Sequence, residues 1–316
     1  MPALRLGTRG SALARRQTES VAQALTAQAA TAPGNDSDAS KRSTVDLQTV
    51  VISTTGDRDQ QSSLLTIGGQ GVFVRQLEDA LREGRIDIAV HSAKDIPSEL
   101  LPGTTIAATL PRADVRDALV GGTLAGLPAG ARVGTGSRRR VAQLRAARPD
   151  LEPADIRGNV GTRLRKLADG DYDAVILAAA GLQRLDQAHA VTELLSIDVM
   201  LPSPGQGVIA LQIRDDDEAA RAALAPIDDA PTSTALRAER ALLGMLGAGC
   251  ALPIGGLAHV RAGEVVLVAR VLDMRGERVI REQESGPSGD PEAVGRRVAE
   301  SLLARGARDL LQELAS

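Results

Sequence analysis

Ala89-Val90-His91-Ser92-Ala93-Lys94-Asp95-Ile96-Pro97 follows an apolar run, Ile86 to Val90, that stops abruptly at four groups able to exchange protons or bind ions. A buried strand delivering polar residues at its end predicts a site. In open α/β sheets ligands gather beyond the carboxyl ends of strands, which places His91, Ser92, Lys94 and Asp95 where chemistry is expected. Pro97 stops any helix there. Standing alone, Lys94 and Asp95 read more commonly as an exposed loop pair, so the weight of the reading comes from the stretches around it.

Toward the N-terminus, Leu4-Arg5-Leu6-Gly7-Thr8-Arg9-Gly10-Ser11 predicts a strand, a glycine turn and a Ser cap. Leu13, Val21 and Leu25 then carry a helix to about Gln28. Arg9 falls at the helix start, where free N–H groups favour an anion and a guanidinium adds a bidentate clamp. Residues 30–43 are small, polar and aperiodic and predict a surface loop. Val45 to Ser53 predicts a strand, and Gly68-Gly69-Gln70-Gly71 reads equally as a plain flexible loop or as a close approach of backbone to ligand. A helix through Phe73, Leu77 and Leu81 leads back to the opening stretch.

Toward the C-terminus the same design recurs. Thr104 to Leu110 is strand-like, and Pro111-Arg112-Ala113-Asp114 is a candidate crossover. Arg132 to Arg140 repeats strand, Gly/Thr turn (Thr135), Ser cap (Ser137) and first-turn arginines (Arg139, Arg140). Ile156-Arg157-Gly158-Asn159-Val160-Gly161-Thr162-Arg163 makes a third such turn, and the buried strand Asp173 to Ala178 ends near Arg184. Basic first turns oppose the helix dipole, and a bound anion is the natural compensation. Residues 132–166 hold ten basic against three acidic residues, a net +7. That favours an anionic ligand over a merely solvated face. Leu201-Pro202-Ser203-Pro204-Gly205-Gln206-Gly207 is a second candidate crossover before the strand Val208 to Ile213. Two crossings between the same two domains make a hinged cleft. A helix from Thr232 to Leu246, strands at 257–260, 265–272 and 278–282, and a long helix from Pro291 to Leu314 predict a third, α+β domain.

At 316 residues two or three domains are expected. There is no Trp, and Phe73 and Tyr172 are the only aromatics, which disfavours base stacking. With a net charge of −3 no nucleic-acid partner is expected. No run approaches the ~20 apolar residues of a membrane span, and the N-terminus lacks a signal-peptide core, so a cytoplasmic protein with no membrane partner is expected. Cys250 is the only cysteine, leaving a buried thiol, a reactive thiol or an attachment point. No metal site is read.

Taken together, HSAKD (91–95), GTGSRRR (134–140), IRGNVGTR (156–163), LPSPGQG (201–207) and GAGCALPIG (247–255) resemble the porphobilinogen deaminase (hydroxymethylbilane synthase) family of tetrapyrrole and heme biosynthesis. Their order and spacing, from Leu4 to the last helix, carry the resemblance. It implies two periplasmic-binding-protein-like α/β domains joined by a hinge, plus a smaller C-terminal α+β domain: 1–110 with 209–229, 111–208, and 230–316. It implies a transferase that condenses four porphobilinogen molecules head-to-tail into hydroxymethylbilane with loss of ammonia, and a monomer. Growth would be primed by a dipyrromethane cofactor held through a thioether on Cys250. By the same resemblance Asp95 is the catalytic acid. Ser92, Lys94, Asp95, Thr135, Ser137, Arg139, Arg140, Arg157, Gly158 and Arg184 would hold the cofactor. Arg9, Ser11, Phe73, Arg157, Arg163 and Gln206 would bind substrate.

The physical reading agrees, since each porphobilinogen brings an acetate and a propionate and a lengthening pyrrole chain needs an arginine-lined cleft. Loss of ammonia leaves a cation-like azafulvene that a carboxylate stabilises. Thr55, Thr66 and Gln70 stand where many relatives have basic residues, which weakens anion contacts expected from that loop. A non-catalytic binder of small anions explains the hinge and the arginine turns but not the Lys94–Asp95 pair or the cysteine on its glycine loop. An RNA-binding protein explains only the basic segment.

Overall fold

The structure, a computed structural model, describes residues 3–31, 46–52, 72–247 and 252–312. In the first sheet β1 (Leu4–Arg9) pairs in parallel with β2 (Leu47–Ile52) and β3 (Ile88–Ser92). Its neighbours β4 (Thr104–Thr109) and β10 (Ile209–Arg214) close the order β2-β1-β3-β10-β4. β10 runs antiparallel to both β3 and β4. The alternation of α1 (Ala12–Thr31) and α2 (Val72–Arg82) with these strands follows from sequence. Val74, Leu77, Ala80 and Leu81 on α2 are buried at helical spacing, and β3 is buried along Ile88–His91, as a strand covered on both faces must be.

The second sheet repeats this plan with β5 (Asp117–Val120), β6 (Arg132–Gly134), β7 (Glu152–Ala154), β8 (Ala174–Ala178) and β9 (Glu193–Leu194) in the order β7-β6-β8-β5-β9. Here β5 is the antiparallel strand, between β8 and β9. Its helices are α3 (Arg138–Ala147), α4 (Val160–Ala168) and α5 (Ala179–Arg184). Ser137 caps α3 by accepting from the Arg140 amide, and Asn159 caps α4 by accepting from the Thr162 amide. Both caps supply an acceptor to an otherwise unsatisfied first-turn N–H.

The chain crosses between the sheets twice, from β4 to β5 and from β9 to β10, so that two α/β units face each other across two connections. β10 is followed by α6 (Glu218–Leu224), whose Ala220 and Leu224 return to the core of the first sheet. α7 (Ala230–Met245) then leads to a third unit, an antiparallel meander of β11 (Ile254–Arg261), β12 (Glu264–Leu272) and β13 (Val279–Pro287). It is covered by α7, α8 (Pro291–Ala304) and α9 (Ala307–Gln312). The single helix expected from Pro291 onward is therefore two. Gly306 adopts φ +92° and ends α8, a left-handed position that glycine occupies without steric cost.

Glu239 on α7 joins all three units. Fully buried, it accepts from Arg112 Nη1 at 2.7 Å, the Gly205 amide at 2.6 Å and the Ala258 amide at 2.7 Å. One carboxylate thus ties both crossovers to the third sheet. Strands β5, β7 and β9, of two to four residues, are too short to be announced by hydrophobic periodicity.

Candidate active site

A cavity of about 930 Å³ lies between the first two sheets, within the roughly 300–1,000 Å³ of small-molecule sites. It collects the carboxyl ends of strands from both. From the first sheet come Arg9 and Ser11, the latter accepting from the Ala14 amide at 3.2 Å and so starting α1. β3 delivers Ser92, whose Oγ accepts from Gln17 Nε2 at 2.7 Å, and then a 3-10 turn, Ala93–Asp95, presenting Lys94 and Asp95. His91, although adjacent, is 5% exposed. It belongs to the strand rather than to the mouth, and burial pushes its imidazole down to about 4.

Gly205, from the second crossover, presses on this turn. At φ +75° its Cα approaches so closely that a Cβ would lie 2.8 Å from the Lys94 amide nitrogen. Only glycine allows that contact. Burial, the largest influence, lowers the Lys94 ammonium, and Arg140 and Arg139 act in the same direction. Asp95 and Asp117 oppose them.

The second sheet supplies Arg140, Arg157, Gly158, Arg163 and Arg184. Arg157 Nε donates to Asp155 at 2.9 Å, Arg163 Nε to the Gly158 carbonyl at 2.8 Å, and Arg184 Nη2 to the Gly207 carbonyl at 2.7 Å. Burial, then Arg140 and Arg157, push Arg163 down to about 10, and burial lowers Arg184. The described wall carries six cations (Arg9, Lys94, Arg140, Arg157, Arg163, Arg184) and one carboxylate, Asp95. Apolar Leu13, Val160, Leu164, Leu177 and Val208 complete it. Crowded cations beside apolar walls, with Lys94 and Arg163 disfavoured by neighbouring arginines, are suited to a flat, multiply anionic ligand, whose carboxylates would relieve the repulsion.

Of the residues expected from sequence, Arg9, Ser11, Ser92, Lys94, Asp95, Arg140, Arg157, Gly158, Arg163 and Arg184 converge on this cavity. Thr135, Ser137, Arg139 and Gln206 do not line it. Thr135 is buried, and Ser137 serves as the α3 cap. Arg139 Nη2 donates to Asp117 at 2.8 Å, and Gln206 Nε2 donates to the same carboxylate at 2.9 Å. Cys250, Thr55, Thr66 and Gln70 lie outside the described residues, as does the Phe73 side chain. Among the described residues no three His, Cys, Asp or Glu side chains converge as a metal site.

Sequence reasoning passed over Gln17, Asp117 and Glu239. Gln17 sits on the buried stripe Ala14, Gln17, Thr18, Val21, where a polar residue at an apolar spacing is a signal of its own. Asp117 heads a four-residue strand and carried no such mark.

Two family models match the chain: "Porphobilinogen deaminase, dipyromethane cofactor binding domain" over residues 4–222, and "Porphobilinogen deaminase, C-terminal domain" over 233–304. The porphobilinogen deaminase of Roseiflexus sp. (strain RS-1) is 49% identical over 309 residues, 97% of each chain. That of Syntrophotalea carbinolica is 45% identical, covering 99% of this chain and 96% of its own. Among solved structures, a TRAP periplasmic solute binding protein from Desulfovibrio salexigens with bound orotic acid aligns with 100% of this chain and 96% of its own, at 11% identity and a TM-score of 0.38. With both family models in sequence order and near-full-length relatives at this identity, the chain belongs to the porphobilinogen deaminase family, enzymes with a dipyrromethane cofactor.

Proposed function

We propose that the chain condenses four porphobilinogen molecules head-to-tail into hydroxymethylbilane, releasing one ammonia per step, on a dipyrromethane primer joined through a thioether to Cys250. The observation that carries this reading is Asp95, set just past a strand end as the one carboxylate among the described residues of a cavity whose described wall also carries six cations. The donor set fits a tetracarboxylate dipyrromethane, and the cavity volume accommodates a ligand of that class. When bound, the group supplies the nucleophilic pyrrole position on which the chain grows.

Arg140, Arg157, Arg163, Arg184 and Lys94 bind and orient carboxylates, and Arg9 and Ser11 receive those of the incoming substrate. Arg139, Thr135, Ser137 and Gln206 support this wall from behind. Asp95 faces the positive charge that develops on the substrate methylene as ammonia departs. At about 4 Å and an effective dielectric near 20 that stabilisation is roughly 4 kcal/mol. Its carboxylate also takes the pyrrole proton and returns one to the leaving nitrogen, a role typically contributing about 10²–10⁴-fold.

The strand orders support a division into 1–110 with 209–229, 111–208 and 230–316, since β10 belongs to the first sheet and β5 to β9 form the second. A cytoplasmic monomer is part of the same reading. No described helix is long and apolar enough to cross a membrane.

The test is direct. Purified protein mixed with porphobilinogen should release ammonia and form a product that cyclises to uroporphyrin. Intact mass under reducing conditions should exceed the sequence mass by a dipyrromethane, and Cys250→Ala should lose both the increment and the activity. Fully active protein of bare sequence mass refutes covalent priming at Cys250; absence of ammonia release refutes the reaction.

A further inference from the structure

Asp117 is the first residue of β5 and is 0% exposed. Its Oδ2 accepts from Arg139 Nη2 at 2.8 Å. Its Oδ1 accepts from Arg140 Nη2 at 2.8 Å and Nε at 3.2 Å, and from Gln206 Nε2 at 2.9 Å. Four donors saturate a fully buried carboxylate, and the first three come from consecutive arginines in the first turn of α3. Without Asp117 those two cations would sit beside a helix N-terminus with the dipole against them.

The second half of the arrangement faces the hinge. Gln206 lies in the second crossover and also donates to the carbonyl of Val115 in the first, at 2.8 Å. Arg112 Nε, again from the first crossover, donates to the Gln206 carbonyl at 3.0 Å. Arg139 Nη1 donates to Leu201 O at 2.7 Å, where the second crossover begins. The carboxylate that fixes the arginines is therefore itself fixed by both connections between the sheets.

Two roles are open to such a carboxylate. It could be displaced by an incoming anion, or it could stay and aim the guanidiniums. Displacement would turn a carboxylate that is 0% exposed away from four donors, on a main chain held in β5 by the Leu195 amide and the pairing with Ala178. A buried, saturated acid in a strand stays. We propose that Asp117 is the positioning residue of the cavity's cationic wall: it fixes the direction and net charge of the Arg139–Arg140 pair and ties that pair, through Gln206, to both crossovers of the hinge. Arg140, which lines the cavity, then meets a ligand carboxylate with its remaining N–H groups already oriented, and the pair carries one net positive charge instead of two.

The influence reaches Lys94 on the opposite wall. Arg140 and Arg139 disfavour its ammonium, and Asp117 and Asp95 favour it. Asp117 thus helps to hold a cation on the first sheet from a place on the second. This role rests on the reading of the cavity as a site for carboxylated pyrroles, but its test does not depend on turnover alone.

The chain has only three lysines, Lys41, Lys94 and Lys166. Reductive ¹³C-methylation of the holoprotein therefore gives three lysine signals, with Lys94 assigned from a Lys94→Arg sample. In Asp117→Asn the geometry of the side chain is kept and its charge removed, and Lys94 should lose its proton more readily than in wild type. The fraction of molecules carrying the dipyrromethane mass increment should fall in the same sample. A folded Asp117→Asn protein whose Lys94 titrates as in wild type overturns the proposal, because a merely structural carboxylate would lower the unfolding midpoint without moving that titration. Should Asp117→Asn not fold, Asp117→Glu decides. It keeps the charge but displaces the guanidiniums by one methylene, so the KM for porphobilinogen should rise about tenfold while Lys94 titrates normally, and a wild-type KM overturns the proposal. If wild-type protein releases no ammonia from porphobilinogen, the functional reading fails, and the Lys94 titration still judges Asp117.

Discussion

Replacing Gly205 with Ala tests whether the second crossover sets the position of Asp95. The new Cβ would lie 2.8 Å from the Lys94 amide nitrogen and 2.9 Å from the Ala93 carbonyl carbon, both main-chain atoms, against the 3.4 Å at which ordinary contact begins. The two chain segments must separate by about 0.6 Å, and an L residue held at φ +75° adds about 1–2 kcal/mol of its own. Together with strain in the displaced turn, the expected loss of stability is roughly 2–4 kcal/mol. Because a 1 Å misplacement at a reacting centre costs on the order of 10²-fold, a shift of half that size should lower kcat about tenfold. Gly103→Ala is the control: φ is +82°, yet nothing lies within 4 Å of the added Cβ, so stability alone should fall, by about 1 kcal/mol, with turnover unchanged. Urea unfolding and steady-state ammonia release measure the two effects. If Gly205→Ala keeps wild-type kcat while losing only what Gly103→Ala loses, the crossover does not position Asp95.

Three other outcomes are expected. Asp95→Asn should stay folded and lose about 10³-fold in turnover, the equivalent of roughly 4 kcal/mol; near-normal ammonia release would contradict its assigned role. Arg163→Leu removes a guanidinium that burial and two neighbouring arginines already push down to about 10, so the protein should not be less stable, whereas carboxylate binding should weaken by ~2–5 kcal/mol and cofactor assembly or elongation should stop. Unchanged kinetics would place Arg163 outside the site. His91, neutral in the fold with its imidazole at about 4 against 6.5 when unfolded, binds a proton only on unfolding as pH drops below 6.5. Its contribution is complete above that value and is lost toward pH 4, by about 3 kcal/mol, so His91→Phe should flatten stability measured by urea between pH 7 and 4.5.

The main plan of the fold was legible because helices and buried strands carry periodic apolar patterns, as α2 and β8 do, and because two Pro/Gly-punctuated segments marked the crossings. The cavity was legible through its repeated strand–turn–arginine design. What the pattern could not reveal was the division of labour among neighbouring arginines. Arg139 and Arg140 are adjacent and look alike in sequence, yet α3 turns Arg139 toward Asp117 and Leu201 while Arg140 reaches the cavity wall. Gln206 likewise looks like a ligand contact in a glycine-rich loop, and the structure spends its amide on two acceptors behind the wall. Which neighbour a polar group finds depends on strands such as β5 that are too short to announce themselves.

The two crossings also impose an order on synthesis. β5 to β9 lie in one continuous stretch, so the second sheet has all its described strands once residue 194 has left the ribosome. The first sheet does not, because β10 sits between β3 and β4, and among the described strands β4 pairs with no other. The N-terminal half must therefore wait, with the edge of β3 open and β4 without its partner, while a segment encoded later folds ahead of it. An open strand edge is a template for wrong pairing. For a nascent chain of this topology the hazardous interval ends only when residue 214 emerges and the C-terminal-most strand of the pair of sheets is threaded into the oldest one.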